Sequence, residues 1–213
     1  MPTMQKMYER LRDSIVNSVE FQKLSKIGGH KVYHLEGSAL VHSLMVVEEA
    51  KKMFPTDYEM QIVALLHDVG KIYTSVCNGP DDWSYPNHAV VGAQHVREFL
   101  PQLSPIKPSK VEWYVANHIK PLFWRGKNLK EELPKLNCPK ECSIVNLVKL
   151  AICDIQGSVS VVPQTELLTY LYGLVDEWEY ALNEASKFGL EGEVEKLLKQ
   201  GYTVDEALDE FDI

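Results

Sequence analysis

The sequence lacks several features that would place it in a specialised class of protein. Its 213 residues include only four cysteines, too few for the disulfide framework of a small secreted domain. No apolar run approaches the roughly eighteen residues that a membrane-spanning helix needs. The first residues also lack the basic and apolar pattern of a secretory signal. We therefore expect a soluble cytoplasmic protein with no membrane partner.

Basic residues are scarce relative to acidic ones. The chain has 22 Lys and Arg against 30 Asp and Glu, which gives a formal net charge of -8. Because such a surface repels phosphates, we do not expect a long nucleic acid duplex as partner, whereas a small phosphorylated ligand remains compatible. Hydrophobic residues make up 45% and charged residues 24%, the balance of an ordinary globular protein.

The spacing of apolar residues predicts an all-α fold, since helical periodicity is common along the chain and strict alternation is scarce. The predicted long helices cover residues 4–24, 38–53, 55–68, 88–100, 108–118, 143–158 and 164–188. Two short helices follow in EGEVEKLLKQG and TVDEALDEF. We therefore expect a helical domain over residues 1–188 and a C-terminal helical hairpin over residues 189–213.

Two segments between these helices are rich in turn-forming or charged residues. TSVCNGPDDWSYPN, which precedes His88, predicts an irregular loop. IKPLFWRGKNLKEELPKLNCPKECS, which follows His118, predicts a mobile surface excursion that could act as a lid. Gly70 stands where a left-handed residue often ends a helix.

The stretch ALLHDVGK ends an apolar helix with the pair His67 and Asp68. Such a dipeptide occurs easily by chance, so alone it indicates only a polar helix end. Asp154 adds weight, because a carboxylate in a very apolar helix must be protonated, paired or metal-bound to offset its desolvation. His42 lies on the apolar face of another helix. These four residues together form a plausible nitrogen and oxygen ligand set for a divalent metal.

An ordered series of residues resembles the HD superfamily of metal-dependent phosphohydrolases, over about residues 33–158, and HDVGK fits the signature of that superfamily. The series is His42, His67, Asp68, His88, His118 and Asp154. YHLEGSALVHSLMVV and YPNHAVVGA are more closely similar to the HD domain attached to bacterial CCA-adding tRNA nucleotidyltransferases. Ser38 stands where that family tends to have Asp, and these 213 residues contain no nucleotidyltransferase domain. A role on tRNA is therefore not carried over.

The resemblance implies an HD-type helical bundle that holds one or two divalent ions, either Fe, Mn, Ni, Co or Zn, with Mg also compatible. One ion would be held by His42, His67, Asp68 and Asp154. Asp68 would bridge to a second ion held by His88 and His118.

The same resemblance, together with the lysine and arginine side chains near the predicted ligands, suggests catalytic roles. Asp68 would position the attacking water. Lys71 is a candidate for binding the substrate phosphate, and Lys120 and Arg125 are secondary candidates that loop position alone would assign to solvated surface.

These features predict an enzyme, a metal-dependent phosphohydrolase acting on a nucleotide or small phosphoester, either a monoester or a cyclic diester. A di-iron oxygenase is an alternative, because HD-type oxygenases have a similar set of four histidines and two aspartates. A non-catalytic metal- or nucleotide-binding module is a further alternative. Four aromatic residues near the predicted ligands could stack on a nucleobase: Trp83, Tyr85, Trp113 and Trp124.

Overall fold

The computed structural model of the protein describes residues 3–80, 82–101 and 105–213. Apart from one small sheet, the regular structure of these ranges is helical, which confirms the all-α prediction. The α-helices and strands are α1 (Met4–Val16), α2 (Val19–Gln22), α3 (Ala39–Met53), α4 (Tyr58–Leu66), α5 (Lys71–Thr74), β1 (Val76–Gly79), β2 (Asp82–Ser84), α6 (His88–His95), α7 (Pro108–Asn117), α8 (Leu129–Glu132), α9 (Ile144–Gln156), α10 (Thr165–Ser186), α11 (Glu191–Lys199) and α12 (Val204–Asp209). Short 3-10 turns cover Lys23–Lys26, Val96–Glu98, Lys120–Phe123 and Pro134–Leu136.

Helix α9 lies at the centre of the bundle, where it packs against α3, α4 and α10. Most of its side chains are buried, as its nearly continuous apolar sequence predicts. It ends at Gly157, where a Cβ atom would lie 2.7 Å from the backbone nitrogen of Val46 in α3. This backbone contact brings the last turn of α9, which carries Asp154, close to α3, which carries His42.

A second close contact joins the start of α5 to α6. At Gly70 a Cβ atom would lie 1.9 Å from the carbonyl oxygen of His88 and 2.6 Å from the backbone nitrogen of Gly92. Gly70 has a right-handed φ of -62°, so the prediction of a left-handed helix end is wrong. Glycine is necessary here because there is no space for a side chain, and not because of its backbone conformation. The contact also places His88 beside the end of α4.

The predicted helix over residues 4–24 is wrong in one respect, since it is interrupted. Asn17 ends α1, and the Ser18 side chain accepts a hydrogen bond from the backbone N–H of Phe21 at the start of α2. Serine and asparagine favour helix ends because their side chains compete for backbone hydrogen bonds. The break is therefore local, and both halves bury apolar residues against the bundle.

The segment before His88 is more regular than predicted. Strands β1 and β2 form an antiparallel hairpin in which Cys77 lies opposite Trp83. These strands have only four and three residues, too few for an alternating pattern to mark them in the sequence. The Trp83 indole packs over Gly28, where a Cβ atom would lie 2.3 Å from the indole nitrogen.

The segment after His118 is anchored on the core, so the prediction of a mobile surface excursion is wrong. Trp124, Leu133 and Leu136 are buried within it. The Trp113 indole N–H of α7 donates a 3.0 Å hydrogen bond to the carbonyl oxygen of Leu136. The anchoring apolar residues stand singly among many charged residues. Because their spacing does not follow a helical period, the sequence pattern did not indicate that they are buried.

The last two helices pack against α10. Thr203 and Glu206 form a capping box at the start of α12. Lys130 of α8 forms a 2.5 Å ion pair with Glu206, so the hairpin also contacts the middle of the chain. The boundary at residue 189 stays a prediction. In the ranges described, no helix has both the length and the apolar character needed to cross a bilayer.

We expect Gly70→Ala to lower the free energy of unfolding by ~1–3 kcal/mol, because the new methyl group cannot fit between α5 and α6. Gly173→Ala, in the middle of α10, is the matched control, since its Cβ would meet no atom within 4 Å. It should be neutral or stabilise by up to ~1 kcal/mol. Urea denaturation measures both values, and equal values for the two variants would contradict this account of the contact.

Candidate metal centre

The structure brings together all six residues singled out from the sequence: His42, His67, Asp68, His88, His118 and Asp154. They come from the ends of α4 and α7, the start of α6, and the facing sides of α3 and α9. Four of the six residues are buried, whereas the side chains of His88 and Asp154 are 16% and 15% exposed. The cluster therefore lies inside the bundle with an opening on one side.

Asp68 lies between two pairs of imidazoles. Its Oδ2 atom is 3.5 Å from Nε2 of His42 and 3.3 Å from Nε2 of His67. Its Oδ1 atom is 3.3 Å from Nε2 of His88 and 3.8 Å from Nε2 of His118. Each carboxylate oxygen thus faces its own histidine pair.

Asp154 supplies a second carboxylate to the first pair. Its Oδ1 atom lies 2.9 Å from Nε2 of His42 and 3.5 Å from Nε2 of His67. Groups of ligand atoms within 4.8 Å of one another include His42 with His67 and Asp68, and Asp68 with His88 and His118. These groups could each hold a metal ion.

Hydrogen bonds to backbone carbonyls fix the tautomer of three of the imidazoles. In His67, His88 and His118, the ring Nδ1 donates a hydrogen bond to the carbonyl oxygen of the residue three positions earlier. The three distances are 2.7, 2.9 and 2.7 Å, in that order. For His67 and His118 these carbonyl groups lie in the last turn of a helix, where the helix has no later backbone N–H group to donate to them. Because Nδ1 carries the proton, the neutral rings present an Nε2 lone pair to the cluster.

Facing ring nitrogens are the strongest sign that the cluster suits a cation. Nε2 of His88 and Nε2 of His118 are 3.3 Å apart, and Nε2 of His42 and Nε2 of His67 are also 3.3 Å apart. Two lone pairs at this distance repel unless a proton or a metal ion shares them. In addition, the buried Asp68 Oδ2 has no hydrogen-bond donor in a favourable direction. The chemistry of the donor set therefore fits a divalent ion.

The protein neighbours shift the histidine pKa values in opposite directions. Burial lowers the pKa of His67, but the negative charges of Asp68 and Asp154 outweigh burial and raise it to about 10. Burial also lowers the pKa of His118, and the positive charges of its histidine neighbours add to that effect, giving about 3. Without a metal, a proton therefore resides on the His67 side of Asp68.

The two carboxylates stay ionised. Burial raises the pKa of Asp68, but the charges of Lys71 and His67 lower it well below its usual range. Burial likewise raises the pKa of Asp154, and hydrogen bonds with His42 and His67 lower it overall. Both side chains are thus available as anionic ligands at neutral pH.

Lys71 contacts the cluster directly. It is buried, its Nζ atom lies 2.6 Å from Asp68 Oδ2, and the same atom lies 4.3 Å from the centre of the Tyr85 ring. It also lines the cavity beside the cluster. Its ammonium group offsets the charge of Asp68, and a direct contact with phosphate stays a prediction.

Glu36 and His34 also contact the cluster, although neither was predicted from the sequence as a site residue. Glu36 Oε1 lies 2.9 Å from Nδ1 of His42 and 2.9 Å from Nδ1 of His34. The backbone N–H of Val159 donates to its other oxygen at 3.0 Å. Burial raises the pKa of Glu36, but these partners lower it overall, so Glu36 is an anion behind His42. Carboxylates in this position orient metal-binding imidazoles.

A cavity of about 540 Å³ opens over the cluster. Of the four aromatic residues predicted to lie nearby, Trp83 and Tyr85 line it, whereas Trp113 and Trp124 pack into the protein instead. Phe123, which the sequence did not single out, also lines it.

The two secondary cation candidates lie on the surface. Lys120 is exposed, and Arg125 pairs with Glu166 at 2.6 Å. Among the described residues of the cavity wall, Lys71 is therefore the one lysine or arginine.

The helical fold and the cluster place this protein in the class of helical proteins whose histidine and aspartate side chains could together hold divalent metal ions. A family model for the HD domain matches residues 39–151, more than half of the 213-residue chain, and the chain therefore belongs to the HD domain family. Members of this family are generally metal-dependent hydrolases. No match was found among curated proteins or among solved structures.

We expect a saturating divalent transition metal to raise the melting temperature by roughly 5–10 °C, because the ion binds the folded cluster and not the unfolded chain. Asp68→Asn should lose most of this increase, since it removes the charge shared by both histidine pairs. Asp176→Asn, on the exposed side of α10, should keep it. Calorimetric melting with and without metal gives the values, and an increase that is the same in all three proteins would place the metal elsewhere.

We also expect metal affinity to rise with pH. His67, with its pKa of about 10, carries a proton at neutral pH, and a metal ion must displace that proton. Between about pH 6 and pH 8 the association constant should increase about tenfold per pH unit for each proton displaced. Titration calorimetry in two buffers with different ionisation enthalpies counts the protons released. An affinity that does not change with pH would contradict the protonation of His67.

Proposed function

We propose that this protein is a metal-dependent phosphohydrolase that acts on a nucleotide or another small phosphoester. One observation carries the proposal: the two oxygens of Asp68 face two separate histidine pairs at the base of a cavity of about 540 Å³. Such a cavity has the size of a small-molecule site. Membership of the HD domain family supports the same class of reaction.

In this proposal one ion would be held by His42, His67, Asp68 and Asp154. A second ion would be held by Asp68, His88 and His118. Four imidazoles favour a transition metal such as Fe, Mn, Ni, Co or Zn over Mg, which prefers an all-oxygen environment. Paired divalent ions lower the pKa of water and offset the charge that develops on a phosphoryl group.

The protein side chains have separate roles in this proposal. Asp68 is ionised at neutral pH, so its oxygens can accept a hydrogen bond from the attacking water and orient it. Lys71 holds a positive charge 2.6 Å from the same carboxylate and at the cavity wall, where a phosphate would lie. Glu36 orients His42 from behind. Aromatic side chains of the wall would limit access of water to the phosphate.

A di-iron oxygenase uses a similar set of four histidines and two aspartates, and the cavity wall of this protein is largely aromatic and apolar. Such a wall also suits a substrate that is to be oxidised. Ferrous protein that consumes oxygen but releases no phosphate would favour this second function.

Two finer predictions remain proposals. We place the protein in the cytoplasm, and the free thiols of Cys77, Cys138, Cys142 and Cys153 support this. We keep the likeness to the HD domain of CCA-adding enzymes as a hint of a nucleotide substrate, without a role on tRNA.

The test is phosphate release from a panel of phosphomonoesters and cyclic nucleotides by protein loaded in turn with each metal. We expect turnover with at least one transition metal, and Asp68→Ala should lower kcat by at least about a hundredfold, because both ions lose a ligand. Asp176→Ala is the matched control and should retain full activity. Metal-loaded protein that neither releases phosphate nor consumes oxygen would contradict the proposal and leave a binding module.

A further inference from the structure

Aromatic rings dominate the wall of the cavity above the metal centre. We call this set the aromatic wall, and it consists of His30, Tyr33, Trp83, Tyr85 and Phe123. Several rings around one cavity of small-molecule size form a surface that can stack on a planar ligand.

Two members of the aromatic wall, Tyr33 and Phe123, are exposed at the mouth of the cavity. Tyr33 is 46% exposed, and its ring stacks on His30 with centroids 5.3 Å apart and an interplanar angle of 29°. Phe123 is 64% exposed, yet it lies in a 3-10 turn between the buried residues Pro121 and Trp124. Both rings are therefore accessible for stacking, and their flat side chains have few rotatable bonds to order on binding.

The polar groups of the wall suit a nucleoside better than a purely apolar ligand. His30 Nδ1 accepts a 3.2 Å hydrogen bond from the backbone N–H of Val32, so the neutral ring carries its proton on Nε2. His34, which also lines the cavity, donates through Nδ1 to Glu36 at 2.9 Å, so its Nε2 is an acceptor. One donor and one acceptor therefore accompany the aromatic surface, as the polar edge of a nucleoside requires.

The charges around the cavity limit the number of phosphates. Among the described lining residues, Asp68 and Asp154 provide two negative charges and Lys71 provides one positive charge. Two divalent ions would change this balance from minus one to plus three, which one phosphate dianion and one hydroxide neutralise. A triphosphate carries about four negative charges, and the described wall has no further lysine or arginine to compensate for them.

We propose that the cavity binds a nucleoside carrying a single phosphate group, with the base stacked on the aromatic wall and the phosphate at the metal centre. This inference rests on the proposed phosphohydrolase function and narrows its substrate class. Nucleoside di- and triphosphates and phosphoesters without an aromatic group are poor ligands of the site.

Binding of phosphonate analogues tests the proposal, because a carbon in place of the ester oxygen prevents turnover. Titration calorimetry on the manganese-loaded full chain compares the phosphonate analogues of adenosine and cytidine monophosphate with that of ribose phosphate. We expect the nucleoside analogues to bind at least about tenfold more tightly, which corresponds to the usual contribution of one stacked base. A non-hydrolysable analogue of adenosine triphosphate should bind more weakly than the monophosphate analogue.

Phe123→Ala should reduce the preference for the nucleoside over the ribose analogue by roughly fivefold to tenfold and leave ribose phosphonate binding unchanged. Phe188→Ala removes a ring of equal exposure, 64%, in the turn after α10 and is the matched control, with no expected change. The melting temperature of each variant reports its folding.

Equal affinity for nucleoside and ribose analogues, tighter binding of the triphosphate, or the same preference in Phe123→Ala and Phe188→Ala would each overturn the inference. Failure of the proposed function has a different signature, namely no phosphate release from any ester of the panel. The binding measurements do not depend on turnover, so the two failures are distinguishable.

Discussion

The shared carboxylate of Asp68 is the interaction on which the rest of the site depends. Its two oxygens face two histidine pairs, and the side chain is 2% exposed. A buried carboxylate is costly unless cations surround it, and here protonated His67 and Lys71 provide them when no metal does. Any divalent ion that binds therefore competes with a proton for the Nε2 atom of His67, which links metal affinity to pH.

Backbone contacts between helices set the distances around that carboxylate. Gly70 lets α6 approach the end of α4, and Gly157 lets the end of α9 approach α3. Each contact would be blocked by a single methyl group, because backbone atoms lie within 3 Å of the position that a Cβ would take. The ligands thus come from helices whose spacing is fixed by packing rather than by the ligands themselves, which is the arrangement that favours a preorganised site.

The sequence allowed the helical fold and four of the cluster residues to be predicted from physical patterns, since His42 and Asp154 stand out as polar groups on apolar helices. His88 and His118 needed the family resemblance, because each lies at a helix end beside a loop and has no periodic environment. Glu36 was missed for the same reason: it lies in a loop, and only the folded chain brings it to His42. Strands of three or four residues and isolated buried residues such as Trp124 likewise leave no periodic signal.

Anomalous X-ray diffraction from crystals grown with manganese tests the central claim most directly. We predict two anomalous peaks, one beside each oxygen of Asp68, with His42 and His67 at the first and His88 and His118 at the second. A single peak away from Asp68, or no peak in crystals that contain manganese elsewhere, would contradict the assignment of this cluster as a metal centre.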